Sequence, residues 1–299
     1  MPLMHVAAVG VSSPSTALIL VALLLVACLY GRGRRRMRAA SGSPISRGRL
    51  ASFLFGLSLI WLALGSPLVA YDHDLLTVHM IQHLLLMTVA PALILLGEPL
   101  FAFWRGLPRF GQVVLGPLFQ RPFVQGFAHV FSRPSLCWTV AAMTLIAWHV
   151  PALFTLGMRS ELWHSIEQAS FLGSGFLFWW PVIQAWPRVA TGPQWSTLLY
   201  LFLATLPCDI LSGFLVFSDR VAYPAYFSMP RHFGFSVLQD QECAAALMWT
   251  CVTLVYLVPA AILSVRLLSP RSFSRSDLVQ SELSGSAASQ SDSPGLGAA

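Results

Sequence analysis

Two histidines lie four residues apart in the string His79-Met80-Ile81-Gln82-His83, and Met87 follows four residues later. On a helix, side chains at i and i+4 share a face, so His79, His83 and Met87 form one stripe. Three other stretches carry groups of the same kind. They are Trp148-His149-Val150-Pro151, Trp163-His164 with Glu167 and Gln168 just beyond, and Asp240-Gln241-Glu242 with Met248 further on. Neutral imidazole suits copper, zinc or haem iron. The thioethers of Met80, Met87 and Met248 shift the balance toward Cu(I), a soft ion. Glu167 or Asp240 could accept from an imidazole N–H and so orient a ring behind the metal, and Asp209 adds a third carboxylate. The alternative is that the histidines bond Glu167, Asp209 and Gln82 only to hold helices together.

The elements that must position these groups are membrane helices. Of the 299 residues 56% are hydrophobic and only 10% are charged, and the mean hydropathy is +0.68. A soluble domain could not hide that much apolar surface. Seven continuous apolar stretches, each near the roughly 20 residues that cross a bilayer as a helix, fall at Val11–Tyr30, Leu50–Ala70, Leu75–Gly97, Ser135–Leu156, Leu162–Ile183, Trp195–Phe217 and Cys243–Leu268. Their continuity favours helices over a barrel. The reading is an all-α, polytopic transmembrane bundle of about seven spans.

Loop charge supplies an orientation. All 18 basic residues are arginine, and seven of them crowd Gly31–Arg49 with no acid between them. That loop is expected in the cytoplasm, with the N-terminus outside and the C-terminus inside. Residues 1–10 are then an outer tail and 11–268 the membrane domain. Segment 101–134, broken by Gly and Pro, is an interfacial stretch, and 269–299, rich in Ser, Gly and Ala, a disordered tail. This topology brings His79, His83, His149 and His164 to one layer near the outer face, with Asp209 at mid-depth. Polar side chains inside spans are costly, so that layer is where function is expected.

Several classes are excluded. No run of basic and aromatic residues suggests nucleic-acid binding. No P-loop, nucleophile elbow or HExxH is present. The five cysteines form no CxxC pair, which argues against a disulfide framework or a thiolate zinc site. The chain is not read as an enzyme.

The string His79 to Leu86 followed by Ala90-Pro91 resembles the third-span signature of the CtaG family, multispan assembly factors of haem–copper cytochrome c oxidase. Trp148 to Phe154, Phe178-Trp179-Trp180-Pro181, Phe217 to Arg220, Tyr223 to Tyr226 and Asp240-Gln241 with Met248-Trp249 resemble the same family in the same order. The resemblance covers roughly Trp61 to Val265. It implies a bacterial inner (plasma) membrane protein that works with oxidase subunits, delivering or inserting copper at the outer side of the catalytic subunit. His79, His83, His149 and His164 are the implied copper ligands. His73, set between Asp72 and Asp74, departs from the family pattern. Two rival readings are a haem-binding redox protein and an ion- or proton-coupled transporter using Asp209 and Glu167. A third is a scaffold that binds oxidase subunits without metal. Tyr223 to Tyr226 lie in an outer loop, where they suit an interface belt or a partner surface, with ordinary loop packing the preferred reading.

Overall fold

The computed structural model describes residues 14–41, 46–119, 121, 126, 133–183, 194–230 and 234–269. Every element among them is helical. Helix α1 is Pro14–Ser41, α2 is Arg47–Gly65, and α3 (Leu76–Leu84) runs through a π-helical turn, Leu85–Val89, into α4 (Ala90–Leu96). Two short helices follow, α5 (Pro99–Gly106) and α6 (Arg109–Phe119). Then come α7 (Pro134–His149), α8 (Pro151–Arg159), α9 (Glu161–Ile183), α10 (Gln194–Val216) and α11 (Val237–Leu268). Short 3-10 turns, Pro67–Tyr71 and Pro224–Ser228, lie between the longer elements. The tails at 1–10 and 270–299 lie outside the described residues, as do His5, His129 and His232.

Five stretches are long and apolar enough to cross a membrane: Ser15–Ala39, Arg47–Tyr71, Leu76–Leu96, Trp195–Val216 and Val237–Leu268. A sixth forms if α7 and α8, bent by 74° at their junction, count as one span. The seven-span reading needs α9 as well. At 23 residues α9 is long enough, but its first ten residues include Glu161, His164, Ser165, Glu167, Gln168 and Ser170. Helix α9, which carries part of the candidate chemistry, is thus not among the five. Leu18, Phe202, Ile210, Phe214 and Leu257 are all more than half exposed, as side chains facing lipid would be. The chain is a multi-pass helical membrane protein.

The Arg-rich stretch Gly31–Arg49, expected as a loop, is helical as far as Ser41. Arg, Met and Ala all favour a helix, and the helix is fastened at both polar and apolar points. The Arg36 guanidinium donates to the carbonyls of Arg105 and Leu107 at 3.1 and 2.6 Å. Tyr30 donates to the Gly97 carbonyl at 2.9 Å and stacks on Phe53 at 3.9 Å between centroids.

The expected fourth span is broken, not continuous. A residue before proline avoids the α region, and Val150 is extended at ψ 125°. Pro151 then begins α8, where its missing N–H costs nothing. The last helix starts at Val237 instead of Cys243. Ser236 and Gln239 form a reciprocal capping box there, which places Asp240 in the first turn with Gln241 just after it. Side by side, α10 lies along α11, α9 along α7 and α4, and α11 along α3.

Candidate metal centre

Helix α3 carries the His79/His83 pair, and another helix fixes its start. Leu75, at its N-terminal boundary, makes no side-chain cap. Asp240 of α11 caps it instead, accepting from the backbone N–H of Leu76 (2.7 Å) and of Thr77 (3.1 Å) and from the Thr77 hydroxyl (2.6 Å). A carboxylate at a helix N-terminus also meets the positive end of the dipole. Asp240 therefore does not orient an imidazole, as the sequence suggested. It sets the register of the helix that bears two of them. Asp240→Ala leaves buried donors unpaired and should cost about 2 kcal/mol of stability. Amide exchange should accelerate first at Leu76 and Thr77.

The pair meets Glu167 of α9. His79 Nε2 is 3.6 Å and His83 Nε2 3.7 Å from Glu167 Oε1. The two rings lie 4.2 Å apart between centroids. His164, one turn earlier on α9, points Nδ1 at the other carboxylate oxygen, Oε2, at 3.5 Å. His79 and Glu167 are each only 1% exposed. Glu167 was expected to stand behind the ligands; it lies among them. Gly157 on α8 makes room for it, since a Cβ there would come within 2.8 Å of Oε2.

Donor chemistry and spacing both fit a metal. Both ring nitrogens of His79 and of His83 are buried without a hydrogen bond, as is Glu167 Oε2. Buried polar atoms are rarely left so. One atom from each of His79, His83 and Glu167 lies within 4.8 Å of the others. Ligands about 2.0–2.1 Å from a tetrahedral ion sit about 3.4 Å apart, so small side-chain shifts would close the set. Three protein ligands leave a fourth position for an exchanging group.

Not every expected ligand joins. His149 lies at the bend, its Nδ1 2.7 Å from the Leu145 carbonyl, and it belongs to neither group that could hold an ion. It lines a cavity of about 40 Å³ with His83, Met80, Met87, Met248 and Cys208. The three expected thioethers thus flank the site instead of completing it. Beside it, α9 approaches closely at Gly175, where a Cβ would run into the Met87 backbone. Asp209 sits on α10 beside Cys208, and none of the described hydrogen bonds or ion pairs joins it to a site histidine.

The outer loop covers this centre. Tyr223 and Tyr226 are buried to 2% and 1% exposure, packed within the molecule and not displayed at an interface. Tyr223 donates to the His149 carbonyl at 3.1 Å and Tyr226 to the Asp72 carbonyl at 3.3 Å. Burial pushes the Tyr226 phenol well above its ordinary pKa, so it stays a neutral donor. Phe154 lies between, 4.2 Å from the Tyr223 ring and 5.1 Å from His79. Gln241 pins the loop from below, accepting from Ala222 N at 2.7 Å and donating to the Leu215 and Arg220 carbonyls. The signal was the spacing of Tyr223 and Tyr226, three apart with Pro224 between, which makes one 3-10 turn present both rings together.

A family model described as cytochrome c oxidase caa3 assembly factor (Caa3_CtaG) matches residues 28–269. Among curated proteins, the uncharacterized protein Mb0105 of Mycobacterium bovis is 27% identical over 240 residues, covering 77% of this chain and 35% of that protein. MT0111 of Mycobacterium tuberculosis matches to the same extent, and ML1998 of Mycobacterium leprae is 26% identical over 238 residues. The chain thus spans about a third of the length of these relatives. No solved structure matches.

Proposed function

The chain belongs to the family of cytochrome c oxidase caa3 assembly factors, and we propose that within that role it carries copper as cargo to the oxidase. The observation that supports this is the buried trio of His79, His83 and Glu167, whose ring nitrogens face one carboxylate with no other partner. Two imidazoles and a carboxylate suit copper, and the thioethers of Met80, Met87 and Met248 line the cavity beside His83. The centre works without bond-making catalysis. It strips the ion of water, holds it through fewer than four protein ligands, and yields it to receiving histidines by ligand exchange. A closed four-ligand cage would retain it. The face bearing the centre is the outer one in this reading, set by the arginines of α1 at the opposite end.

The test is the copper content of the oxidase in cells expressing the wild-type chain or the His79→Ala/His83→Ala double variant. The variant is expected to yield oxidase with haem present and copper reduced several-fold, and added copper should restore part of it. Oxidase with full copper beside a stably produced double variant would overturn the delivery role and favour a scaffold.

A further inference from the structure

The buried trio has a neighbour nearer the surface. Asp72 and His73 follow the 3-10 turn after α2, and His164 reaches them from α9. His164 Nε2 lies 3.3 Å from Asp72 Oδ2, and His73 Nε2 lies 3.8 Å from Asp72 Oδ1. One atom from each of the three falls within 4.8 Å of the others, the same closeness as in the trio below. Asp72 Oδ1 is buried with no hydrogen bond although the side chain is only 2% exposed. Gln82 donates to the other oxygen at 3.3 Å, and the Gln168 amide nitrogen lies 2.7 Å from His164 Nε2.

Exposure falls steadily along the series. The His73 side chain is 45% exposed, that of His164 11%, and that of His79 1%. His164 lies between the two groups. One ring nitrogen faces Asp72 and the other faces Glu167. Its ring centroid is 5.1 Å from His73 and 5.7 Å from His79.

We propose that Asp72, His73 and His164 form a second metal site, a loading station that takes a divalent copper ion from solvent and passes it by way of His164 to His79, His83 and Glu167. This rests on the copper reading above and adds the route in. Two imidazoles and a carboxylate on a partly wetted surface suit a borderline divalent cation. Transfer is ligand exchange: His73 and Asp72 release as Glu167 binds, and His164 releases as His79 and His83 complete the inner set, with no change of oxidation state. Half-exposed His73 makes first contact, and buried Asp72 supplies the charge that holds the ion long enough to exchange.

The test uses the purified full chain in lipid nanodiscs, with Cu(II) as the only added probe. Bound copper is measured by equilibrium dialysis, and loading is followed by stopped flow. Wild type should bind two equivalents, and a pair of ions so close should show magnetic coupling in the electron paramagnetic resonance spectrum. His73→Ala should bind one, uncoupled, and load it at least tenfold more slowly; Asp72→Asn should behave the same way. His79→Ala/His83→Ala should also keep one equivalent, bound fast. A single equivalent in wild type whose amount and rate survive His73→Ala overturns the second station and leaves the buried centre standing. No bound copper in folded wild type overturns both.

Discussion

Replacing Glu167 with alanine should abolish copper retention, lowering affinity by at least about 100-fold. One carboxylate faces three imidazoles here, with Oε1 toward His79 and His83 and Oε2 toward His164. Its removal takes an anionic ligand from the centre and leaves three ring edges in a dry pocket with no acceptor. Breaking a buried polar pair from one side costs about 3 kcal/mol, so the alanine variant should also melt earlier. Glu167→Gln separates the two effects. The amide fills the same volume and can hydrogen-bond the rings, so the fold should survive while the copper is still lost. Equilibrium dialysis beside a thermal unfolding curve reads both. Retention of copper by Glu167→Gln would mean that the carboxylate is structural.

Gly175→Val should disrupt the packing that holds the site together. Helix α9 meets the π-helical turn after α3 backbone to backbone at this residue, and a Cβ would run into the Met87 carbonyl. Rigid backbone cannot move aside as a side-chain end can, so the helices must separate, at about 3 kcal/mol or more. Separation would draw Glu167, on α9, away from His79 and His83, on α3, and copper binding should fail with the packing. Two residues away lies the control. Nothing stands within 4 Å of a Cβ at Gly173, and alanine is the better helix former by up to about 1 kcal/mol. Gly173→Ala should be neutral or mildly stabilising with copper binding intact. The variants are compared by detergent-resistant folded yield and by bound copper.

Local spacing carried part of this site and long-range contact carried the rest. The i, i+4 relation of His79 and His83 was plain, because one helix settles it. So was the layer shared with His164, because span boundaries fix depth. Depth does not fix azimuth. Nothing in the string around Glu167 shows that it turns inward among the rings, or that Gly157 clears space for it, while His149 at a similar depth turns to the Leu145 carbonyl. Asp240 was visible as an acid at a helix start, but its partners lie 163 and 164 residues away. No local rule reports a helix capped by a different helix.

The fold shows the same division. Hydropathy located the apolar stretches but placed a loop at the α1 arginines, because charge was weighed over helix propensity. The break at Val150-Pro151 was present in the sequence as a proline rule and was overridden by the continuity of apolar residues on either side. Helix α9 has the length of an ordinary span, and its polar first ten residues are what distinguish it.

Copper carried as proposed would sit between α3 and α9, on two imidazoles and a carboxylate. Copper-edge X-ray absorption on protein carrying one equivalent, purified from His73→Ala so that only the buried centre is filled, tests it most directly. The account predicts two imidazole nitrogens and one oxygen in the nearest shell at about 2.0–2.1 Å, with one imidazole lost when His83→Ala is added. A shell unchanged by His83→Ala, or one built from sulfur alone, would contradict it.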